Sequence, residues 1–292
     1  MTTLKKFAQS GTQRPEKKET GVAHSHESND IERFDDEEQG KDRQFVTALA
    51  RGLEVLRCFG PGERYLGITE LARRTGIPKP TVSRLAGTLV KLGYLDFIDT
   101  LGKYSLGAGV LSLGYAKLSN LDIRQIARPL MEELAEYSRV SVSVGIRDRL
   151  SMVYVETVRS SAPISLQRGI GARLSLATTS MGRAYLAGAP ETERNFLMDQ
   201  IRLRDETQWP RIKAGIEQGF RDYAERGFCI SLGDWDKDIY AVGVPFMSPN
   251  SGLMAFNCGG PAFMLTREKL EEDIGPRLVS LVKRVGGSMG RL

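Results

Sequence analysis

A glycine at position 76 separates two runs of helical spacing, and the geometry of that break constrains the fold more than any other feature of the chain. Thr69-Glu70-Leu71-Ala72-Arg73-Arg74-Thr75 reads as a short helix with Thr69 as its N-cap. Gly76 stops it, because only glycine enters the left-handed C′ conformation without a steric cost. After Ile77-Pro78 a second helix begins near Lys79, with Pro80 in its first turn, where a missing N–H leaves nothing unpaired. Val82, Leu85, Leu89 and Leu92 mark its buried face, while Ser83, Arg84, Gly87 and Lys91 point the other way and Thr81 and Thr88 lie on the flank. This is the helix-turn-helix pattern, in which the second helix fits the major groove of duplex DNA.

The flanking sequence completes a winged version of that unit. Phe45, Leu49, Leu53 and Leu56 recur at helical spacing, so an amphipathic helix is expected over 44–59, ended by Gly60-Pro61-Gly62. Leu95/Phe97 and Tyr104/Leu106 alternate around the turn Asp99-Thr100-Leu101-Gly102, which predicts a hairpin, the wing. Arg84 can donate two hydrogen bonds to a guanine edge, and Thr81, Ser83 and Thr88 are placed to reach bases or phosphates. Arg73, Arg74, Lys79, Lys91 and, on the wing, Lys103 suit phosphates, which set affinity and salt dependence rather than sequence choice. The charge agrees: residues 44–105 hold 9 Lys/Arg against 5 Asp/Glu. A winged helix used for protein contacts is the alternative.

Residues 1–43 hold 8 Lys/Arg against 10 Asp/Glu and few large apolar side chains, so a disordered polar tail is expected there. The whole chain, 292 residues and 41% hydrophobic, suits about two domains. No apolar run approaches the ~20 residues of a membrane helix, and Met1–Ser10 lack the apolar stretch of a secretory signal, giving the expectation of a cytoplasmic protein. Cys58, Cys229 and Cys258 lie far apart without a CxxC pair, which argues against a disulfide framework or a zinc ribbon. The only two histidines, His24 and His26, fall in the tail, so the folded part has no imidazole for a hydrolase triad or a His-based metal site. No enzyme activity, metal or cofactor is implied. Asp234-Trp235-Asp236-Lys237-Asp238 opens like a calcium loop, but Ile239 and Pro245 stand where Gly and Glu are required, so it reads as a solvated acidic loop. Cys229 and Cys258 read as packing residues, with no base to activate them.

Beyond the wing, residues 107–119 form a short apolar helix, and Asp122 to Tyr137 another with Ile123, Ile126, Leu130 and Leu134 on one face. Strand-like runs follow at Ser141–Ile146, Ser151–Thr157 and Ile164–Gln167, helical patterns at about Thr179–Leu186, Glu191–Asp199 and Trp209–Arg226, then strands at Tyr240–Pro245 and Leu253–Cys258 and a last helix from Thr266 to about Val285. Strands, helices and strands again suggest an antiparallel sheet with helices packed on it, an α+β domain.

Ala50-Arg51-Gly52-Leu53, Ile68-Thr69-Glu70-Leu71-Ala72, Pro80-Thr81-Val82-Ser83-Arg84-Leu85, Leu92-Gly93-Tyr94-Leu95 and Tyr104-Ser105-Leu106-Gly107 together resemble an IclR-type bacterial transcription regulator, and the resemblance extends over about residues 45–288. After the polar tail over 1–43, it implies a winged helix-turn-helix DNA-binding domain over 44–106, a linker helix over 107–121 that helps form a dimer, and an effector-binding domain over 122–292, similar to GAF and profilin-like sensor folds. It also implies a pocket between the sheet and the loop-helix segment Gly169–Ala184. Carried over by position, its lining is Leu166, Ser180, Met181, Ser231, Ile239, Ala241, Asn257 and Gly259. The sequence departs from the commoner pattern at Met181 and at Asn257-Cys258-Gly259. Backbone N–H groups at the helix start near Thr179–Met181 would face an anion, so a small organic acid, aliphatic or aromatic, is the expected effector. Arg173 and Arg183 are either partners of its carboxylate or surface residues. The reading is a homodimeric or homotetrameric regulator, binding operator DNA under effector control, of a catabolic operon. A protein-interaction module and an enzyme with a fused regulatory head are the alternatives.

Overall fold

The computed structural model describes residues 44–161 and 168–290. The expected tail over 1–43 and the strand expected at Ile164–Gln167 lie outside the described residues. Two compact units divide between Gly107 and Ala108.

The first unit contains α1 (Thr47–Arg57), α2 (Ile68–Thr75), α3 (Lys79–Lys91) and a hairpin of β1 (Leu95–Ile98) with β2 (Lys103–Leu106). Gly76 takes φ 70°, and its N–H caps α2 on Ala72 O at 2.9 Å, as the sequence pattern required. The N-cap of α2 is Gly67 rather than Thr69, with no side-chain cap. The hairpin pairs Leu95 with Leu106 and Phe97 with Tyr104, whose rings lie 4.9 Å apart, and Tyr104 also bridges to Leu66. Val55, Cys58, Leu66, Leu71, Ile77, Val82, Ala86 and Leu95 form the core.

Helix α1 is turned differently from the expectation. Leu49 and Leu53 are 62% and 49% exposed, and the buried side is Gly52, Glu54, Val55 and Cys58. Positions 52, 55, 56 and 59 also carry helical spacing, so the sequence offers two apolar stripes. Packing against α2 and α3 selects the second. Leu92, expected on the buried face of α3, caps its C-terminus and is exposed.

Arg74 is the strut of this unit. Its guanidinium lies 2.6 Å from Glu63 Oε2, 2.6 Å from Glu70 Oε1 and 3.0 Å from the carbonyl of Cys58, tying the end of α2 to the end of α1 and to the turn after it. Hydrogen bonds from Arg73 and Arg74 hold the Glu70 carboxyl down at about 2, and Arg74 lowers Glu63 as well.

The second unit begins with α4 (Ala108–Ser119) and α5 (Asp122–Ser138). A six-stranded sheet follows in the order β5-β4-β3-β8-β7-β6, each neighbouring pair antiparallel. Its strands are β3 (Ser141–Asp148), β4 (Ser151–Val158), β5 (Arg173–Ser175), β6 (Cys229–Leu232), β7 (Ile239–Ser248) and β8 (Gly252–Pro261). Between β5 and β6 run α6 (Ser180–Gly188), α7 (Glu191–Arg204) and α8 (Trp209–Arg226). The side chains alternate across the sheet. Val142, Val144, Val242, Val244, Phe256 and Cys258 pack with α5 and the C-terminal helix, while Met152, Tyr154, Cys229 and Ala255 pack with α6, α7 and α8.

The single C-terminal helix read from the sequence is a chain of three pieces: α9 (Arg267–Lys269), a π turn over Leu270–Ile274, and α10 (Gly275–Met289). Thr266 caps α9 through Lys269 N–H at 3.2 Å. Pro276 has no N–H to continue the α ladder, and a Cβ at Gly275 would sit 2.4 Å from the Phe228 ring, so the helix widens where it crosses that ring.

A bulge at Val144/Gly145 opposite β4 lets Tyr154 and Thr157 stay on the α6 side while Glu156 faces α5. There Glu156, buried, accepts from Arg124 at 3.1 Å and Arg128 at 3.2 Å. Arg124 also donates to Leu118 O at 3.3 Å, joining β4 to the end of α4.

Two expected outcomes follow from this packing. Arg74→Ala should lower stability in urea unfolding by about 1–2 kcal/mol, discounted because the pairs are partly solvated. Because Glu70 and Glu63 are held below their usual 4.5, their stabilisation is complete above that pH and is lost on acidification, for Glu70 as pH falls toward about 2, which acid titration followed by circular dichroism measures. All three cysteines are buried, and burial pushes Cys58 and Cys258 up to about 12 and raises Cys229 too. An alkylating reagent at pH 8 should therefore modify none of them in the folded protein and all of them in denaturant.

Candidate functional site

The first unit presents a basic face along α3. Lys79, Ser83, Arg84, Thr88 and Lys91 are exposed there, Thr81 is half-buried beside them, and Lys103 is exposed on the wing. Among the described residues no acidic side chain pairs with Lys79, Arg84, Lys91 or Lys103. Thr88 Oγ1 donates to Arg84 O at 3.0 Å within the helix, leaving its lone pairs outward. The arginines of α2 differ. Arg73 is exposed but clasped by Glu70 at 2.7 and 3.1 Å, and Arg74 is turned inward as the strut described above. The expectation that Arg74 meets a phosphate is corrected on that ground, because its donors already face two carboxylates and a carbonyl.

In the second unit a narrow cavity lies between the start of α6 and the sheet. Backbone contact sets its height. A Cβ at Gly243 on β7 would sit 2.3 Å from Ser180 O, so no side chain separates the helix start from the strand. Ser231, Ala241 and Gly259 stand in one row across β6, β7 and β8 and form a floor of small residues. Ile239 adds an apolar wall and Asn257 a polar one.

At the helix start Thr179 is the N-cap, accepting from Gly182 N–H at 3.1 Å and donating to Ser175 O at 2.7 Å. The N–H groups of Ser180 and Met181 precede the first intrahelical bond and so have no acceptor within the helix. Ser231 Oγ donates to Thr178 O at 3.0 Å. Asn257 Nδ2 donates to Tyr154 Oη at 3.2 Å, and burial raises Tyr154 above its usual pKa. Ser180 Oγ and Asn257 Oδ1 are buried without a partner. The arrangement can receive a small ligand carrying negative charge at the helix start.

Six of the expected pocket residues thus meet: Ser180, Ser231, Ile239, Ala241, Asn257 and Gly259. Leu166 lies outside the described residues. Met181 does not line the cavity; it is fully buried against β3, where its Sδ would lie 2.7 Å from a Cβ at Gly145. The glycine makes room for the larger side chain, which therefore leaves the cavity free. Neither Arg173 nor Arg183 lines the cavity. Arg173 is held by Asp148 at 2.6 Å. Arg183 is 4% exposed and binds Asp234 at 2.8 Å and Ile230 O at 3.2 Å. That pair pins the acidic loop, so Asp234 is structural, and next to it Trp235 is brought to the cavity wall.

Sequence reasoning missed Tyr154, Arg168, Leu174 and Trp235 in the lining, which Thr179, expected only at the helix start, also joins. Alternation along β4 carried a signal for Tyr154, since Met152 and Tyr154 share a face. Nothing local marked Arg168 and Trp235, which meet across the fold with the guanidinium 5.0 Å from the ring centroid. Cys258 offers no nucleophile there, being buried on the opposite face of the sheet. Among the described residues no helix is long and apolar enough to cross a membrane.

Comparison with known proteins agrees with both units. The pattern of the IclR helix-turn-helix domain matches residues 48–98, and that of the bacterial transcriptional regulator IclR C-terminal region matches residues 115–284. The HTH-type transcriptional regulator TsaQ1/TsaQ2 of Comamonas testosteroni is 36% identical over 248 residues, 84% of this chain and 88% of that protein. The crystal structure of an IclR family transcriptional regulator from Brucella abortus is 52% identical, with 85% of this chain and 94% of that one covered and a TM-score of 0.79. An IclR homolog from Microbacterium hydrocarbonoxydans, crystallised with 4-hydroxybenzoate, shares the fold at 20% identity, covering 82% of this chain and 99% of its own with a TM-score of 0.61. The chain belongs to the IclR family of bacterial transcription regulators, with a helix-turn-helix DNA-binding unit and the family's effector-binding domain.

Proposed function

We propose that this regulator changes its affinity for operator DNA when a small organic acid enters the cavity beneath α6. The observation that carries the reading is the buried helix start, where Ser180 Oγ has no hydrogen-bond partner and the first N–H groups have no acceptor within the helix. The Arg168 guanidinium in the same lining adds positive charge. The homolog that binds 4-hydroxybenzoate supports an acid as the ligand class. A sensor of this kind suits a cytoplasmic regulator of an operon that degrades the acid it senses.

In this reading residues 44–106 grip the DNA, 107–121 connect, and 122–292 sense. Helix α3 enters the major groove. Arg84 reads a base, Thr81, Ser83 and Thr88 support it, and Arg73, Lys79, Lys91 and Lys103 contact phosphates. The working form is a dimer or a dimer of dimers placing recognition helices in successive grooves. Leu111, Leu113 and Tyr115, exposed on α4, supply apolar surface for such an assembly. Acid and DNA then alter each other's affinity by the same factor, because their binding free energies are linked.

Fluorescence anisotropy on duplexes from the gene's own upstream region tests this. Arg84→Ala should cost about 1–3 kcal/mol on the operator and relax preference at one base position. An equal loss on scrambled DNA would remove Arg84 as a base reader. Lys91→Ala should weaken all duplexes alike and reduce the slope of log affinity against log salt by about one. Acids titrated into the protein–DNA complex should shift the operator affinity, and tight acid binding with no shift counts against the regulatory reading.

A further inference from the structure

We infer that the acid sensed by this chain carries a hydroxyl group, and that Asn257 selects it. The inference rests on the cavity beneath α6 being the effector site and adds which acids it takes. Two side-chain atoms in that cavity are buried without a partner, Ser180 Oγ and Asn257 Oδ1, on residues 1% and 8% exposed.

The two atoms are chemically unlike. Ser180 carries a hydroxyl that can donate, and it sits at the start of α6 beside N–H groups with no helical acceptor. Both features favour a carboxylate. Asn257 Oδ1 can only accept. In the structure the other half of the amide, Nδ2, donates to Tyr154 Oη at 3.2 Å, which leaves Oδ1 to the cavity. Tyr154 is in turn hydrogen-bonded to Ser143, which Thr157 holds at 3.0 Å, so a chain of hydroxyls across β3 and β4 anchors the amide.

A carboxylate oxygen brought against Asn257 Oδ1 would be repelled, and an apolar group there would leave the amide oxygen dry and unpaired, which is the costly case. A ligand O–H satisfies it. The two demands lie near each other: Asn257 pairs in register with Gly243, whose missing Cβ would touch Ser180 O. The ligand therefore presents an acceptor to the helix start and a donor to β8. A hydroxy acid does both, and the acid without its hydroxyl does only the first.

Matched acids differing by one hydroxyl test this by calorimetry on the full chain: propionate with lactate, and benzoate with its 2-, 3- and 4-hydroxy derivatives. In at least one series a hydroxylated member should bind about tenfold or more tighter than its parent. Asn257→Leu should shrink that preference below about threefold, and Ser180→Ala should weaken both members of the pair alike. Asn257→Ser, a smaller change, should also reduce the preference and stands in should the leucine variant misfold. Parents that bind as tightly as every hydroxylated acid, or a preference that survives at Asn257 variants, overturn the inference while leaving an acid sensor in place. Binding by no acid of either series overturns the acid reading itself and this inference with it.

Discussion

Helix α6 starts with its backbone against the backbone of β7, and the architecture of the sensing unit follows from that contact. At the helix start Gly243 faces the carbonyl of Ser180, backbone to backbone, and near the helix end Gly188 receives the Pro245 ring, so a glycine lets each end of the helix rest close to β7. A helix start held that close brings its first N–H groups, which have no acceptor within the helix, beside the sheet. The cavity is the space that remains between that helix start, a floor of small residues and the walls carried by β4, β5 and the loop before β7. Enlarging Gly243 would lift the helix and remove the cavity's polar end, because the opposing atoms are main chain and cannot swing aside.

The arginines divide by what surrounds them. Arg74, Arg124, Arg128, Arg173 and Arg183 each face a carboxylate and join segments distant in sequence. These pairs contribute as struts, with Arg183 holding the loop that carries Trp235 and Arg124 holding the end of α4. Arg84 and the lysines of α3 lack such partners among the described residues, which leaves their charge available to an external polyanion. Ten positions apart, then, Arg74 builds the fold and Arg84 keeps its charge on the outer face of α3. Net charge does not distinguish them; the carboxylates at 63 and 70 do.

Glycine and proline signals made much of the chain legible. Gly76 between two periodic runs fixed the turn, Pro80 the start of α3, and Gly102 the hairpin. Trp209–Arg226 was bounded correctly because a proline and a glycine bracket a clear apolar stripe. Helix α1 was misread in orientation because two stripes were equally regular and only packing against α2 and α3 separates them. The C-terminal helix was read as continuous because the Phe228 ring that widens it is remote in sequence.

The same division runs through the site. Sequence alone determined a winged helix-turn-helix with a basic outer helix, an α+β unit after it, and six of the residues that meet beneath α6, because turn chemistry, hydrophobic period and family motif are local properties of the chain. Only the tertiary structure decided that Arg74 and Arg183 turn inward, that Met181 fills the space over Gly145, and that Tyr154, Arg168 and Trp235 complete the cavity. Those outcomes depend on which strands become neighbours and how closely a helix rests on them, and cross-strand register and interatomic distance are not carried by any single segment.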